Sequence, residues 1–181
     1  MSNFVESHVE EAALDWLGQL GYQVVYGPDI QPEGPYQERA TFGEVLLVGR
    51  LQLALARLNP TLPADALDQA LRKVLAVEGA NLIDQNRNFH RLLVDGISVD
   101  YRTSQGDIRH DLARVIDFDD VSANDWLACN QLTVTEGKFN RRPDVVLFLN
   151  GIPIATLELK NAADANATVQ KAWQQLQTYK Q

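Results

Sequence analysis

Asp144, Glu158 and Lys160 are the residues of this 181-residue chain whose types and spacing best suit a chemical role. Two carboxylates can hold a hard divalent cation, and a lysine beside them can offset negative charge on an attacking or departing oxygen. Hydrolysis of a phosphodiester needs both. Glu158 and Lys160 are separated by one residue, so on a strand their side chains leave the same face. Asp144 must then face the same way. The sequence joining them reads as a β-hairpin, with strands Asp144–Leu149 and Ile152–Leu159 around a turn at Asn150-Gly151. A plain two-residue turn pairs Leu149 with Ile152 and Asp144 with Leu157, which sends Glu158 to the opposite face. One extra residue, as in a three-residue loop with Gly151 in the left-handed region, sets Asp144 opposite Glu158. Their Cβ atoms then lie roughly 5 Å apart. The bulged register is the one predicted.

An Asp followed later by Glu-x-Lys is a weak pattern by itself, and a strand-initiating turn with an exposed strand end would produce it too. Its placement adds weight. The run Val145–Leu149 is apolar throughout, which indicates burial on both faces, and a carboxylate at the end of such a strand calls for a partner. Two other pairs have the i, i+4 spacing of one helix face. Gln175 and Tyr179 could position a nucleic-acid backbone or the catalytic residues, or could be a solvated Gln beside a core Tyr. Glu6 and Glu10 flank the apolar stripe of the first helix; they read as a solvated acidic face or as the source of a supporting metal ligand.

The rest of the chain narrows the chemistry. One cysteine, Cys129, rules out an internal disulfide framework and a cysteine zinc cluster; its apolar neighbours point to a buried thiol in a reducing cytoplasm. His8, His90 and His110 lack the spacing of a zinc site, and no nucleophilic-serine motif or phosphate-binding P-loop occurs. Trp16, Trp126 and Trp173 fit core packing, and Asp117, Asp119 and Asp120 a solvated strand-end turn. No stretch is long and apolar enough to cross a membrane, and the start lacks the order of a signal peptide. Sixteen basic against twenty-four acidic residues argue against a domain that grips DNA alone. Another part of a larger assembly would have to hold it.

The length suits one domain with an appended helical lobe. Helical spacing covers Glu6–Leu20, with Gly21 as its cap, and a short strand Tyr22–Tyr26 follows. Phe42–Leu58 and Pro63–Val77, the second capped by Thr61, read as a helical insertion at about 42–77. Asn81–Val94 is a further helix ended near Gly96. Strands are expected at Ile97–Arg102, Leu112–Phe118 and Gln131–Thr135, with a capped turn or short helix at Ser122–Trp126. After the hairpin, Val169, Ala172, Trp173, Leu176 and Tyr179 mark a last helix packed on the sheet, and the absence of a stop signal after it points to a longer chain.

The segment Arg142–Asn161 closely resembles the nuclease signature of the restriction (motor) subunit of type I restriction-modification enzymes, in the PD-(D/E)xK nuclease superfamily. The resemblance extends to Asn88–Gly96, to Ile116–Asp120 with Asn124-Asp-Trp126, to Gln131–Val134, to Gln175 and Tyr179, and to the opening Glu6–Glu10 with Leu20-Gly-Tyr22. It implies an α/β restriction-endonuclease-like fold, a mixed β-sheet flanked by helices, that cuts double-stranded DNA with magnesium. It also implies an ATP-driven motor beyond this region and a complex with modification and specificity subunits. By the same resemblance Asp144 and Glu158 bind the metal and Lys160 assists catalysis. Glu10, with Glu6 as the alternative, is the acidic residue of the opening helix, and Gln175 and Tyr179 are the accessory motif.

Overall fold

The computed structural model describes residues 6–160 and 168–179. In chain order its elements are α1 (Glu6–Gln19), β1 (Gln23–Tyr26), the single turn α2 (Gly27–Ile30), α3 (Val48–Leu58), α4 (Ala64–Leu75), α5 (Leu82–Asp95), β2 (Ile97–Arg102), β3 (Ile108–Ala113), β4 (Trp126–Asn130), β5 (Val134–Glu136), β6 (Phe139–Arg141), β7 (Val145–Leu149), β8 (Ile152–Leu157) and α6 (Val169–Thr178). This is the mixed α/β architecture that the sequence implies. The chain forms two compact units, one from the described residues up to Leu47 and from Trp126 onward, the other from Val48 to Asp125.

The first unit is built on a four-stranded sheet in the order β1-β4-β7-β8, in which β1 runs parallel to β4 and the other pairs are antiparallel. β4 and β7 are its inner strands. Both are buried on both faces, so they read as apolar runs rather than as alternation. That explains a correction: a strand was expected at Gln131–Thr135, but β4 occupies Trp126–Asn130, and the left-handed φ of 56° at Gln131 ends it before β5 begins. Ile30, Leu47, Leu127, Cys129, Leu132, Val146 and Phe148 form the core. Arg39 is buried beside it, 1% exposed, and its guanidinium donates to the carbonyls of Phe42 (2.7 Å), Glu44 (2.6 Å) and Thr133 (2.8 Å). These bonds tie the segment before Leu47 to the strand side of the unit. They also explain why Phe42–Leu47 is not helical: the Phe42 carbonyl serves Arg39 and the Thr135 amide, and the helix starts only at Val48.

In the second unit α3 buries Leu51, Ala54 and Leu55, and α4, which lies against both α3 and β2, buries Ala66, Ala70 and Val74. Pro63, not Thr61, is the N-cap of α4; the proline keeps Leu62 out of the helical region, so a helix cannot begin earlier. Buried Asn59 ties α3 to the strand region: its amide donates to the carbonyls of Leu55 and Arg114, and its carbonyl accepts from the Arg114 amide at 2.7 Å. Strand β3 ends at Ala113, where Leu112–Phe118 was expected. It pairs with β2 through a turn closed by Thr103 and Asp107, and its polar residues are exposed, which hid it from a search for alternation.

Two tryptophans expected in the core lie at the surface, Trp16 at 68% exposure and Trp173 at 59%. In α1 the less exposed stripe runs through Val9, Glu10, Ala13, Leu14 and Leu17, rotated from the stripe expected with Trp16 and Leu20. Glu10 therefore lies on the less exposed side of the helix. Cys129 is buried, as expected. No helix among the described residues is long and apolar enough to cross a membrane.

Candidate active site

The hairpin β7–β8 solves the register problem in a way the sequence reading did not place. Its turn is the plain two-residue kind: Leu149 pairs with Ile152, and Asn150 and Gly151 both have positive φ, 52° and 80°. Alone, that turn would put Glu158 on the wrong face. The extra residue comes later, inside the strand. Phe148 faces Pro153 while Leu147 faces Ala155, so Ile154 is left over as a β-bulge. Beyond it the register is Val145 with Leu157, which sets Asp144 opposite Glu158. Pro153 lacks an amide hydrogen and is tolerated because β8 is an edge strand at a bulge.

Around this register the polar atoms converge. Asp144 Oδ2 accepts the Leu159 amide at 2.6 Å, and the Asp144 carbonyl accepts the Gln131 amide at 3.0 Å, so the residue is anchored to the strands on both sides. Glu158 is fully buried at its side chain; Oε1 accepts the Tyr179 hydroxyl, and Oε2 has no hydrogen-bond partner. Lys160 Nζ stands 4.0 Å from that oxygen, its side chain 26% exposed. Burial pushes the Glu158 carboxyl above the usual range; the Tyr179 bond works against this, the Asp144 charge adds to it, and Lys160 opposes it.

Helix α6 contributes from the other side. Thr168 caps its start, and Arg141 donates to the Thr178 carbonyl at 3.0 Å, a cation holding the C-terminal end of the helix. Gln175 Nε2 donates to the Tyr179 hydroxyl at 3.4 Å, so Gln175, Tyr179 and Glu158 form one chain of hydrogen bonds. The Tyr179 ring borders an apolar cavity of about 200 Å³ with Phe139, Val146 and Phe148. Burial first, then the bond to Glu158, pushes its hydroxyl up to about 12, so it stays a donor at neutral pH.

Glu10 is held by amides: Oε1 accepts from Asn130 at 2.7 Å and Oε2 from Gln131 at 2.8 Å. Through Gln131 it is joined to the Asp144 backbone. Among the described residues no group of three His, Cys, Asp or Glu side chains is close enough to hold a metal ion. The Glu6 side chain lies outside the described residues. Asp144 and Glu158 are therefore the pair that could take a hard cation, and the buried Glu158 Oε2 without a donor suits one, since magnesium is commonly held by one or two carboxylates with the remaining positions left to water and phosphate. Asn130, Gln131 and the Leu159 amide were missed in the sequence. The two amide side chains follow directly on an apolar strand, which is a usable signal; a backbone N–H leaves none.

The sequence profile described as Type I restriction enzyme R protein N terminus matches residues 3–181. The chain is similar to the Type I restriction enzyme HindI endonuclease subunit of Haemophilus influenzae, 33% identical over 176 residues that cover 97% of this chain and 17% of the relative. It is also similar to the Putative type I restriction enzyme MjaIXP endonuclease subunit of Methanocaldococcus jannaschii, 31% identical over 169 residues, 91% of this chain and 16% of the relative. The chain thus spans about a sixth of the length of these curated relatives. It belongs to the family of type I restriction enzyme R protein N-terminal domains.

Proposed function

We propose that this domain hydrolyses phosphodiester bonds of unmodified double-stranded DNA with magnesium, as the cutting module of a type I restriction enzyme R subunit. The observation that carries the reading is the Asp144–Glu158 pair, set face to face by the Ile154 bulge, with Lys160 Nζ 4.0 Å from Glu158. The names of the two relatives, both endonuclease subunits, support the same activity.

Asp144 and Glu158 would hold the metal, which when bound supplies Lewis acidity toward water and offsets charge on the phosphate. The chain's own residues do the rest. The Leu159 amide fixes the Asp144 carboxylate, and Tyr179, itself steadied by Gln175, fixes Glu158. Lys160 presents positive charge to the phosphate oxygens as charge builds on them. Glu10 supports the end of β4 through Asn130 and Gln131, and so supports Asp144; a direct role as a further metal ligand would require it to leave those amides.

Modification and specificity subunits and an ATP-driven motor complete the proposed assembly. They account for an acidic domain, net charge −8, acting on DNA: the polyanion is held elsewhere and presented here. The test is restriction of unmodified DNA by the complex carrying Lys160→Ala. Cleavage should be lost and ATP hydrolysis retained. Unchanged cleavage would remove the site, and cleavage lost together with ATP hydrolysis would point to a scaffold role.

A further inference from the structure

Two stretches that carry the family resemblance, Asn88–Gly96 and Ile116–Asp120, are not used by the hairpin chemistry; both belong to the second unit. They meet at one cavity. Val94 and Asp95 from the end of α5, Phe118 and Asp119 from the second stretch, and Asp111 and Leu112 of β3 line a volume of about 520 Å³. Its apolar rim is open to solvent: Val94 is 52% exposed, Leu112 57% and Phe118 62%. None of the residues of α5 is buried, although its sequence has a clear apolar side. Around these side chains stand the three carboxylates of Asp95, Asp111 and Asp119, against one arginine, Arg114.

A mainly polar, acidic lining with Val94, Leu112 and Phe118 exposed beside it suits a long cationic side chain, whose head meets the acids while its methylene stem packs on those apolar side chains. We infer that the cavity docks a protein segment that inserts a Lys or Arg among Asp95, Asp111 and Asp119 and lays an apolar side chain over Leu112 and Phe118. Size decides where that segment comes from. A few side chains of this kind offer at most a few hundred Å², well below the roughly 1,000 Å² that specific association of separate chains requires. A segment tethered on the same polypeptide, at an effective concentration on the order of millimolar, can be held by so small a face. The relatives extend far beyond the matched region, which is 17% and 16% of their lengths, so the occupant is assigned to the remaining polypeptide of the same subunit.

The test places the photoreactive residue p-benzoylphenylalanine at position 112 in the intact gene product, with a control at the exposed Arg72 position of α4. Irradiation should join position 112 to a peptide outside residues 1–181 that carries Lys or Arg beside an apolar residue. The yield should not change on dilution, and the control should give no such adduct. Asp95→Lys with Asp119→Lys should lower the yield roughly fivefold; Asp119→Asn, a milder change that keeps the fold, should lower it in the same direction. Adducts confined to residues 1–181, a yield that falls on dilution, or a yield indifferent to both charge changes would each overturn the assignment.

Discussion

The Asp144 carboxylate accepts the amide hydrogen of Leu159 at 2.6 Å, a bond that exists only because one residue of β8, Ile154, stands outside the strand pairing. Two-residue turns and strict pairing would have left Asp144 beside Leu157. Deleting Ile154 alone would leave every pair of the hairpin intact, but deleting Ile154 together with Ala155 should slip β8 by one residue, set Asp144 opposite Leu159, and turn Glu158 and Lys160 to the opposite face. The expected result is a folded protein with cleavage reduced by about a hundredfold or more, since a misplacement of even 1 Å is that costly. DNA cleavage assays beside a thermal melt distinguish this from unfolding. Cleavage near the wild-type level with an intact melt would show that the β7–β8 register does not set the site.

Much of this was readable beforehand, and the parts that were not have physical causes. The pairing of Asp144 with Glu158 followed from the need for both carboxylates on one face, but the bulge was assigned to the Asn150–Gly151 turn. Turn chemistry identifies the type of turn, and Asn-Gly was a good two-residue signal; nothing local marks where a strand sheds a residue, although Pro153 on an edge strand was a hint. Strand β4 was missed because burial on both faces erases alternation, and β3 because exposure of its polar residues does the same. Trp16 misled because an amphipathic helix is rotated by its tertiary neighbours: the less exposed side of α1 is marked by Leu14 and Leu17, with Glu10 in line.

Glu158 keeps a carboxyl raised by burial, and the sign of its effect on stability follows. A folded-state pKa above the unfolded one means that protonation favours the folded chain. That stability is complete below the unfolded value, near the ordinary 4.5, and is lost as pH rises through the raised folded value. In metal-free protein at neutral pH, Glu158→Gln should therefore stabilise the fold by about 1 kcal/mol, the usual scale for relieving an under-satisfied buried polar group. That corresponds to roughly 2–4 °C in Tm, and the gain should vanish below pH 4. Magnesium should raise the melting temperature of the wild type but not of this variant. A variant no more stable than wild type at pH 7 would argue against a strained carboxylate.

Arg39 is a structural residue that no motif announced. Three carbonyls share its guanidinium in the interior, and desolvation pulls its pKa below the ordinary arginine value. Arg39→Met keeps much of the volume but takes this donor from all three carbonyls, of which that of Phe42 keeps the Thr135 amide. Loss of about 3 kcal/mol is expected, measured by urea denaturation. Arg39→Lys should recover little of it, because one ammonium cannot reproduce the planar fork that reaches Phe42, Glu44 and Thr133. Full rescue by lysine would mean that charge alone matters there.

Tyr179→Phe removes one hydroxyl and nothing else of size, so it isolates what the hydrogen bond does for Glu158. That bond favours the ionised carboxylate and partly offsets the upward push of burial. Without it the Glu158 pKa must rise further, and ionised Glu158 should be reached only at higher pH. The acidic limb of the cleavage profile is expected to move to higher pH, with a loss of roughly tenfold at neutral pH that shrinks as pH is raised. Gln175→Ala should act more weakly, since its amide reaches Glu158 only through the tyrosine hydroxyl at 3.4 Å. If Tyr179 served only to contact DNA, Tyr179→Phe would lower cleavage equally at every pH and leave the limb in place; the full pH profile of the complex, measured with saturating DNA, separates the two.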